Sequence, residues 1–200
     1  MNVKRFRSIK PEIRVLGIDD GVFVPREKGL VDIIGVVYRG GYWLDGVMRT
    51  EVELDGMDAT EKIIQMIRRS PHHKQLRVVM LNGVTFAGFN VVNIKELYEK
   101  VGLPVIVVSR EKPDLEKIKK ALENLPFSEK RWEAIEKAGE LFEMYTRNNY
   151  EPIFVQFVGI SQKDVQKILK VTSTRSNIPE ALRVAHIIAS GLSKLQEKET

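Results

Sequence analysis

The stretch Val15-Leu16-Gly17-Ile18-Asp19-Asp20-Gly21 decides how the rest of the chain is read. An apolar run stops abruptly at two adjacent carboxylates and a glycine. Such a run, bounded by turn residues, predicts a strand buried on both faces whose tip carries the carboxylates to the edge of the core. Alternation sends neighbouring side chains to opposite faces, so one of Asp19 and Asp20 points into any given site. The ordinary alternative is a strand-to-turn junction, for which Asp-Asp-Gly is common chemistry.

Working outward, Leu30 to Tyr38 is a second apolar run, Gly40-Gly41 a hairpin turn, and Tyr42 to Leu54 one or two further antiparallel strands. Asp58-Ala-Thr-Glu61 has the spacing of a capping box and opens a helix carrying Ile63, Ile64, Met66 and Ile67, which Ser70-Pro71 ends. Arg77 to Leu81 reads as a buried strand closing on Asn82-Gly83. Val91 to Val101 reads as a helix, Pro104 to Ser109 as a strand, and Pro113 opens a helix to Leu122. The spacing of Trp132, Ile135, Leu141 and Phe142 predicts one amphipathic helix over Ser128–Asn148. Ile153 to Val158 is a strand, Ser161 opens a helix to Leu169, and Asn177-Ile-Pro179-Glu180 begins the last helix.

With 200 residues, 43% hydrophobic and 30% charged, the chain is long enough and apolar enough for one globular domain, 1–200, with a basic arm over 1–10 and a frayed tail over 194–200. The absence of cysteine excludes disulfides, thiolate metal sites and cysteine nucleophiles and fits a cytoplasmic setting. No apolar run approaches the roughly 20 residues of a membrane span. A net charge of +5 permits an anionic partner such as nucleic acid.

Three meandering strands followed by βα units form the ribonuclease H-like arrangement: an α/β mixed sheet, an antiparallel meander followed by parallel βα units, flanked by helices. In that fold metal-binding carboxylates stand at the tip of the first strand, the start of the first helix and the tip of the fourth strand. Those places hold Asp19 and Asp20, then Asp58 and Glu61, then Asn82. Leu81-Asn-Gly-Val-Thr-Phe-Ala-Gly-Phe-Asn90, with Gly102-Leu-Pro-Val-Ile-Val-Val-Ser109, resembles the core segment of endonuclease V, and Thr172-Ser-Thr-Arg175-Ser-Asn-Ile-Pro-Glu-Ala181 resembles its late segment. Over nearly its whole length the chain is more similar still to a mainly archaeal family of endonuclease V-like proteins.

The resemblance implies a Mg²⁺-dependent nuclease, with Mn²⁺ as substitute, acting on nucleic acid. It carries Asp19 over as the main metal ligand, and the family's catalytic glutamate falls on Asp58 or Glu61. Asn82 stands where the family has an aspartate, Thr174 where it has a histidine, and Gly41-Tyr42-Trp43-Leu44 where it has a Pro-Tyr-Ile-Pro wedge. Asn82 then serves as a neutral ligand or positions water. With three carboxylates at hand one metal ion is reasonable, where two-ion hydrolysis uses about three or four.

Other residues carry chemistry in their own right. Tyr42 and Trp43, expected on a hairpin beside the site, suit stacking on an unpaired base, and core packing is the plainer alternative. Thr85 begins a turn whose amides suit a phosphate. The loop from Thr172 to Asn177 collects hydroxyls, an arginine and free amides, so Thr174, Arg175 and Ser176 form an expected anion clamp beside Asp19. His72-His73 reads as a solvated turn and His186 as a packing histidine. Besides a nuclease, the pattern admits a catalytically inactive nucleic-acid-binding module on the same fold, or a nucleotide- or phosphate-binding enzyme.

Overall fold

The computed structural model describes residues 6–24, 28–148 and 150–196. Part of the expected basic arm, Lys4 and Arg5, and the last four residues of the expected tail lie outside them. The first strand, β1 (Arg14–Asp20), lies inside a seven-stranded sheet. On one side it pairs antiparallel with β2 (Leu30–Arg39), which pairs antiparallel with β3 (Trp43–Glu53). On the other it pairs parallel with β4 (Val78–Asn82). A two-stranded ribbon, β5 (Thr85–Phe86) and β6 (Asn90–Val91), follows, and β7 (Val105–Ser109) continues the parallel set. Two antiparallel strands, β8 (Phe142–Met144) and β9 (Ile153–Val158), complete the far edge, giving the order β3-β2-β1-β4-β7-β9-β8. This is the meander-then-βα arrangement expected of a ribonuclease H-like sheet.

Helices cover both faces, and the alternation along β1 shows why. Leu16 and Ile18 face α1 (Ala59–Arg69) and α2 (Ile94–Val101), packing with Ile63, Ile67 and Leu97. Val15 faces the other layer, α5 (Gln162–Thr172) and α6 (Glu180–Gln196), packing with Val165, Leu169, Ala181 and Leu182. Each such aliphatic side chain contributes about 1.5–3 kcal/mol on burial. Gly17 lets α6 lie directly on the strand: a Cβ there would come within 2.6 Å of the Leu182 backbone nitrogen.

Four expectations need correction. The segment 128–148 is not one helix. After α3 (Leu115–Leu122), α4 spans Ser128–Lys137, and Gly139 then takes φ 85°, a conformation no helix continues through. Phe142 and Met144 alternate around Glu143 and pair with Val155 and Ile153, so a period of two replaces the helical one. The helix expected from Val91 starts at Ile94, because Asn90 and Val91 belong to β6. Asp58 does not cap α1 with its side chain. The remote, fully buried Asn90 does so instead, accepting from Ala59 N at 2.9 Å. Finally, α6 runs to Gln196, past the expected start of the frayed tail at 194.

Candidate active site

The C-terminal ends of β1 and β4 bring Asp19, Asp20 and Asn82 together. Asp19 shares the face of Val15 and Gly17, so it points toward α6, where His186 Nδ1 lies 3.0 Å from Asp19 Oδ2. The carboxylate is 2% exposed, while the His186 side chain is half exposed. Asn82 gives Asp19 a side-chain hydrogen bond, and the Asp20 N–H donates to Asp19 Oδ1 at 3.0 Å. Burial nevertheless wins over these three partners and raises the Asp19 carboxyl above its ordinary range.

Asp20 points to the α1 face. Its Oδ2 accepts the Ala87 N–H at 2.6 Å. Burial, reinforced by the neighbouring Asp19 charge and opposed by the Ala87 amide, pushes its pKa up to about 7. Two carboxylates thus sit at the edge of the core, with the half-exposed His186 imidazole against one of them.

A strained turn holds Ala87 in place. Ala87 has φ 44° and Asp55 φ 52°, both left-handed, which costs a non-glycine residue about 1–2 kcal/mol. Asp55 donates its N–H to Ala87 O at 2.9 Å, and its Oδ1 accepts from Phe89 N at 2.8 Å. Arg131 of α4, 1% exposed, locks the turn from beneath. Its guanidinium donates to the carbonyls of Gly56 (2.8 Å), Asp55 (2.6 Å) and Phe89, and its Nε to Pro126 O (3.0 Å). A buried charge with every guanidinium nitrogen directed at a carbonyl is tolerable where a bare one is not. Beside this turn opens a cavity of about 570 Å³, lined by Phe23, Phe89, Asp55, Gly88 and Asn124 among others.

The expected helix-start carboxylates do not join the pair. Asp58 Oδ1 accepts from Asn90 Nδ2 at 2.7 Å and from Glu53 N at 3.2 Å. Glu61 is exposed and accepts from Gln65 Nε2 at 2.9 Å. Among the described residues no group of three His, Asp or Glu side chains could hold a metal ion. A different carboxylate lies closer by register. Asp32 of β2 is 6% exposed and stands two residues from Ile34, the partner of Asp19, on the same face. Its Oδ1 accepts from Arg49 Nε at 2.6 Å, while buried Oδ2 has no partner among the described residues.

Does this set fit a hard divalent cation? On the Asp19 face the donors are oxygens, the Asp19 carboxyl with the Asn82 amide beside it, and the orphaned Asp32 Oδ2. Burial disfavours the charged form of Asp19, and a cation beside it acts against that penalty. The set fits one ion, whose remaining coordination would come from water and substrate, rather than two.

Thr85 lies at this end, in the ribbon that leads to Ala87. The other expected contacts do not. Arg39 pairs with Arg14 at the start of β1, and Gly40 N donates to Ile13 O at 2.8 Å. The Tyr42-Trp43 hairpin therefore lies at the opposite end of the sheet, six residues along β1 from Asp20, or about 20 Å. Thr174 Oγ1 donates to Gly41 O at 2.8 Å, which puts the Thr174-Arg175-Ser176 loop there too. Both expectations of proximity to Asp19 are corrected: α6 runs along β1 from Ala181 beside Gly17 to His186 beside Asp19, so the loop preceding it belongs to the far end. His72 packs against Gly46 and His73 Nε2 lies 3.5 Å from Val101 O, away from the carboxylates. His186, expected as packing, faces the site instead.

Residues 11–193 match the family described as endonuclease dU. A UPF0215 protein of Methanosarcina mazei is 54% identical over 185 residues, covering 92% of this chain and 93% of that protein. A protein of unknown function from Archaeoglobus fulgidus has a crystal structure similar to this one, with TM-score 0.81 and 38% identity over 90% of this chain and 98% of its own. Endonuclease V of Bacillus subtilis shares the fold at TM-score 0.67 and 12% identity, covering 99% of this chain and 89% of that one.

Proposed function

The chain belongs to the endonuclease dU family, and on that premise we propose that it is a metal-dependent endonuclease whose substrate is a nucleic-acid strand containing deoxyuridine, the nucleoside named in the family's description. The observation that carries this reading is the buried Asp19–Asp20 pair, held at the ends of the central strands with both carboxyls raised by burial. Mg²⁺, held by Asp19 with Asn82 beside it, would supply Lewis-acid polarisation of a phosphate oxygen.

The chain's own groups do the rest. Asn82 and the Asp20 amide fix the Asp19 carboxylate, and the Ala87 amide fixes that of Asp20. Asp19 orients His186 through Nδ1, which leaves the other ring nitrogen of a half-exposed imidazole to accept a proton from water. The cavity beside Ala87 is the place for an extruded base. Phe23 and Phe89 offer ring surface, and the Asn124 amide both donates to and accepts from a base edge.

The test is cleavage of end-labelled DNA and RNA strands carrying one deoxyuridine, one inosine or neither, with Mg²⁺, Mn²⁺ or chelator. Metal-dependent cleavage at deoxyuridine that Asp19→Asn abolishes is the expected result. Cleavage that persists in Asp19→Asn, or in chelator, would overturn the assignment. The absence of a three-residue acidic or histidine cluster among the described residues favours the second reading, a binding module without turnover. Tight binding of the same strands with no cleavage under any metal would select it.

A further inference from the structure

The end of the sheet opposite the carboxylates has its own chemistry. A cavity of about 450 Å³ opens beneath the starts of β1 and β4, and four cations, Lys10, Arg14, Lys74 and Arg77, line it against one carboxylate, Glu12. Arg14 is shared with Asp45, which also holds Arg39. Lys10, Lys74 and Arg77 form no ion pair among the described residues and are exposed. Gathering like charges around a concavity is unfavourable unless an anion enters it, and low-dielectric walls strengthen the attraction.

Next to the cavity stands the β2–β3 hairpin. Tyr42 is 65% and Trp43 48% exposed, their ring centroids 5.4 Å apart. The Arg39 guanidinium lies 5.5 Å from the Trp43 ring centre. This platform is pinned rather than loose. Gly40 donates its N–H to Ile13 O, and Gly41 lies so close to the α5 end that a Cβ would sit 3.1 Å from both Thr174 Oγ1 and Val171 O. Arg147 adds a hydrogen bond to Thr174 O behind it. Large exposed rings on a pinned turn, beside unpaired cations, match what an unpaired strand presents: bases to stack and phosphates to neutralise.

We propose that this end is a second binding site, for single-stranded nucleic acid, which anchors a strand at a distance from the cleavage site. Trp43 and Tyr42 stack on bases, while Lys10, Lys74 and Arg77 take phosphates. The site rests on the nuclease reading only for the identity of the strand, because binding at it requires no turnover.

Two measurements test it. In the inactive Asp19→Asn protein, anisotropy of a labelled oligothymidylate of about 30 nucleotides gives affinity and its salt dependence. Both Lys74→Glu/Arg77→Glu and Tyr42→Ala/Trp43→Ala are expected to lower affinity about tenfold or more, and the charge variant to flatten the log–log salt slope by one to two. In otherwise wild-type protein the same changes should leave cleavage of a short strand of about 8 nucleotides unchanged and raise KM, without lowering kcat, on the long one. Unchanged affinity in both variants would overturn the second site, as would equal cleavage losses on short and long strands. A shift from dimer to monomer in the variants, with binding intact, would reassign the surface to self-association. Patch-dependent binding without any cleavage would refute the nuclease and leave this site standing. Cleavage with no patch-dependent binding would do the reverse.

Discussion

At the C-terminal ends of β1 and β4 the polar groups face inward and bind one another, whereas at the other end of the same strands rings and three cations face out, the cations without an ionic partner among the described residues. Asp19 is 2% exposed with three hydrogen-bonding partners, while Trp43 is 48% exposed and Lys10, Lys74 and Arg77 have no ionic partner among the described residues. The inward end spends folding energy on strain, in left-handed Ala87 and Asp55, and on two carboxylates raised by burial. The outward end is pinned by glycine fits that add no such strain. Chemistry needs atoms held against their own preference, whereas binding a long flexible anion needs only charge and ring surface in the right place. One sheet carries both because opposite ends of its strands are independent of each other.

The largest expected effect separates the two ends directly. Asp19→Asn should lower cleavage by about a thousandfold or more, roughly 4 kcal/mol of transition-state stabilisation, and change the affinity for a long strand less than twofold. Loss of both together would mean that the ends are not separate.

Arg131→Met breaks the inward end from below. The substitution removes a guanidinium with four carbonyl acceptors and leaves those acceptors buried, so it should cost about 4 kcal/mol. That lowers Tm by roughly 8–16 °C in a chain of this size. Cleavage should fall further than stability alone explains, because Ala87 loses its support, while oligothymidylate binding below the transition stays intact. A Tm change under about 2 °C would show that the clamp does not hold the turn.

Gly17→Ala tests how far α6 couples the ends. The new Cβ meets the Ala181–Leu182 backbone, and overpacking of this kind costs about 1–3 kcal/mol. The helix must move off β1, taking His186 from Asp19, so kcat should drop. A variant with wild-type kcat would show that His186 plays no part in the reaction.

Asp20→Asn should act in the opposite direction. The folded carboxyl sits near 7 against an ordinary value of 3.8, so the folded state prefers it protonated. Its contribution is fully favourable below the unfolded value and is lost as pH rises to 7. Metal-free wild-type protein should therefore lose stability between pH 4 and 7, and the asparagine variant should lose less. Each pKa unit is worth 1.4 kcal/mol. Discounted for partial exposure, the variant should be more stable by about 2 kcal/mol at pH 8 and indistinguishable at pH 4. Thermal melts across that range in chelator measure the difference, and a variant less stable at pH 8 would refute the burial argument.

These residues also mark how far the sequence carries. The parallel part of the sheet was legible because β1, β4 and β7 are short apolar runs closed by polar residues, a pattern buried parallel strands require. Asp19, Asp20 and Asn82 were legible as the tips of those runs. The far edge was not, because Leu141 and Phe142 continue the helical spacing of Trp132 and Ile135, and only Gly139 marks the break between them. The partners of the carboxylates were hidden for a different reason. Asn90 caps α1 from 31 residues away, and Arg131 serves a turn from 76 residues away, so no local spacing reveals either. His186 had a usable signal. Leu182, Ala185 and Ala189 form the buried stripe of α6, and a residue one turn beyond Leu182, at the flank of that stripe, reaches the end of β1. The position of the Thr174-Arg175-Ser176 loop follows from the same helix direction. An α-helix packed along β1 toward Asp19 must begin at the other end.

The smallest expected effect bears on the sharpest disagreement between motif and structure. By spacing, Glu61 is both the reciprocal member of a capping box and a candidate metal ligand. In the fold it is exposed on the first turn of α1, accepts from Gln65 one turn later, and has no hydrogen bond to Asp19 or Asp20 among the described residues. Glu61→Gln keeps a polar group for Gln65 and removes only a charge near a helix N-terminus, worth about 0.3–0.5 kcal/mol. Cleavage and its dependence on metal concentration should match the wild type, and Tm should fall by no more than about 2 °C. A rise in the metal concentration needed for half-maximal cleavage would instead mean that α1 moves to the carboxylates when a cation binds. The inward end would then be assembled by its ligand rather than held ready by Asn82, Ala87 and His186.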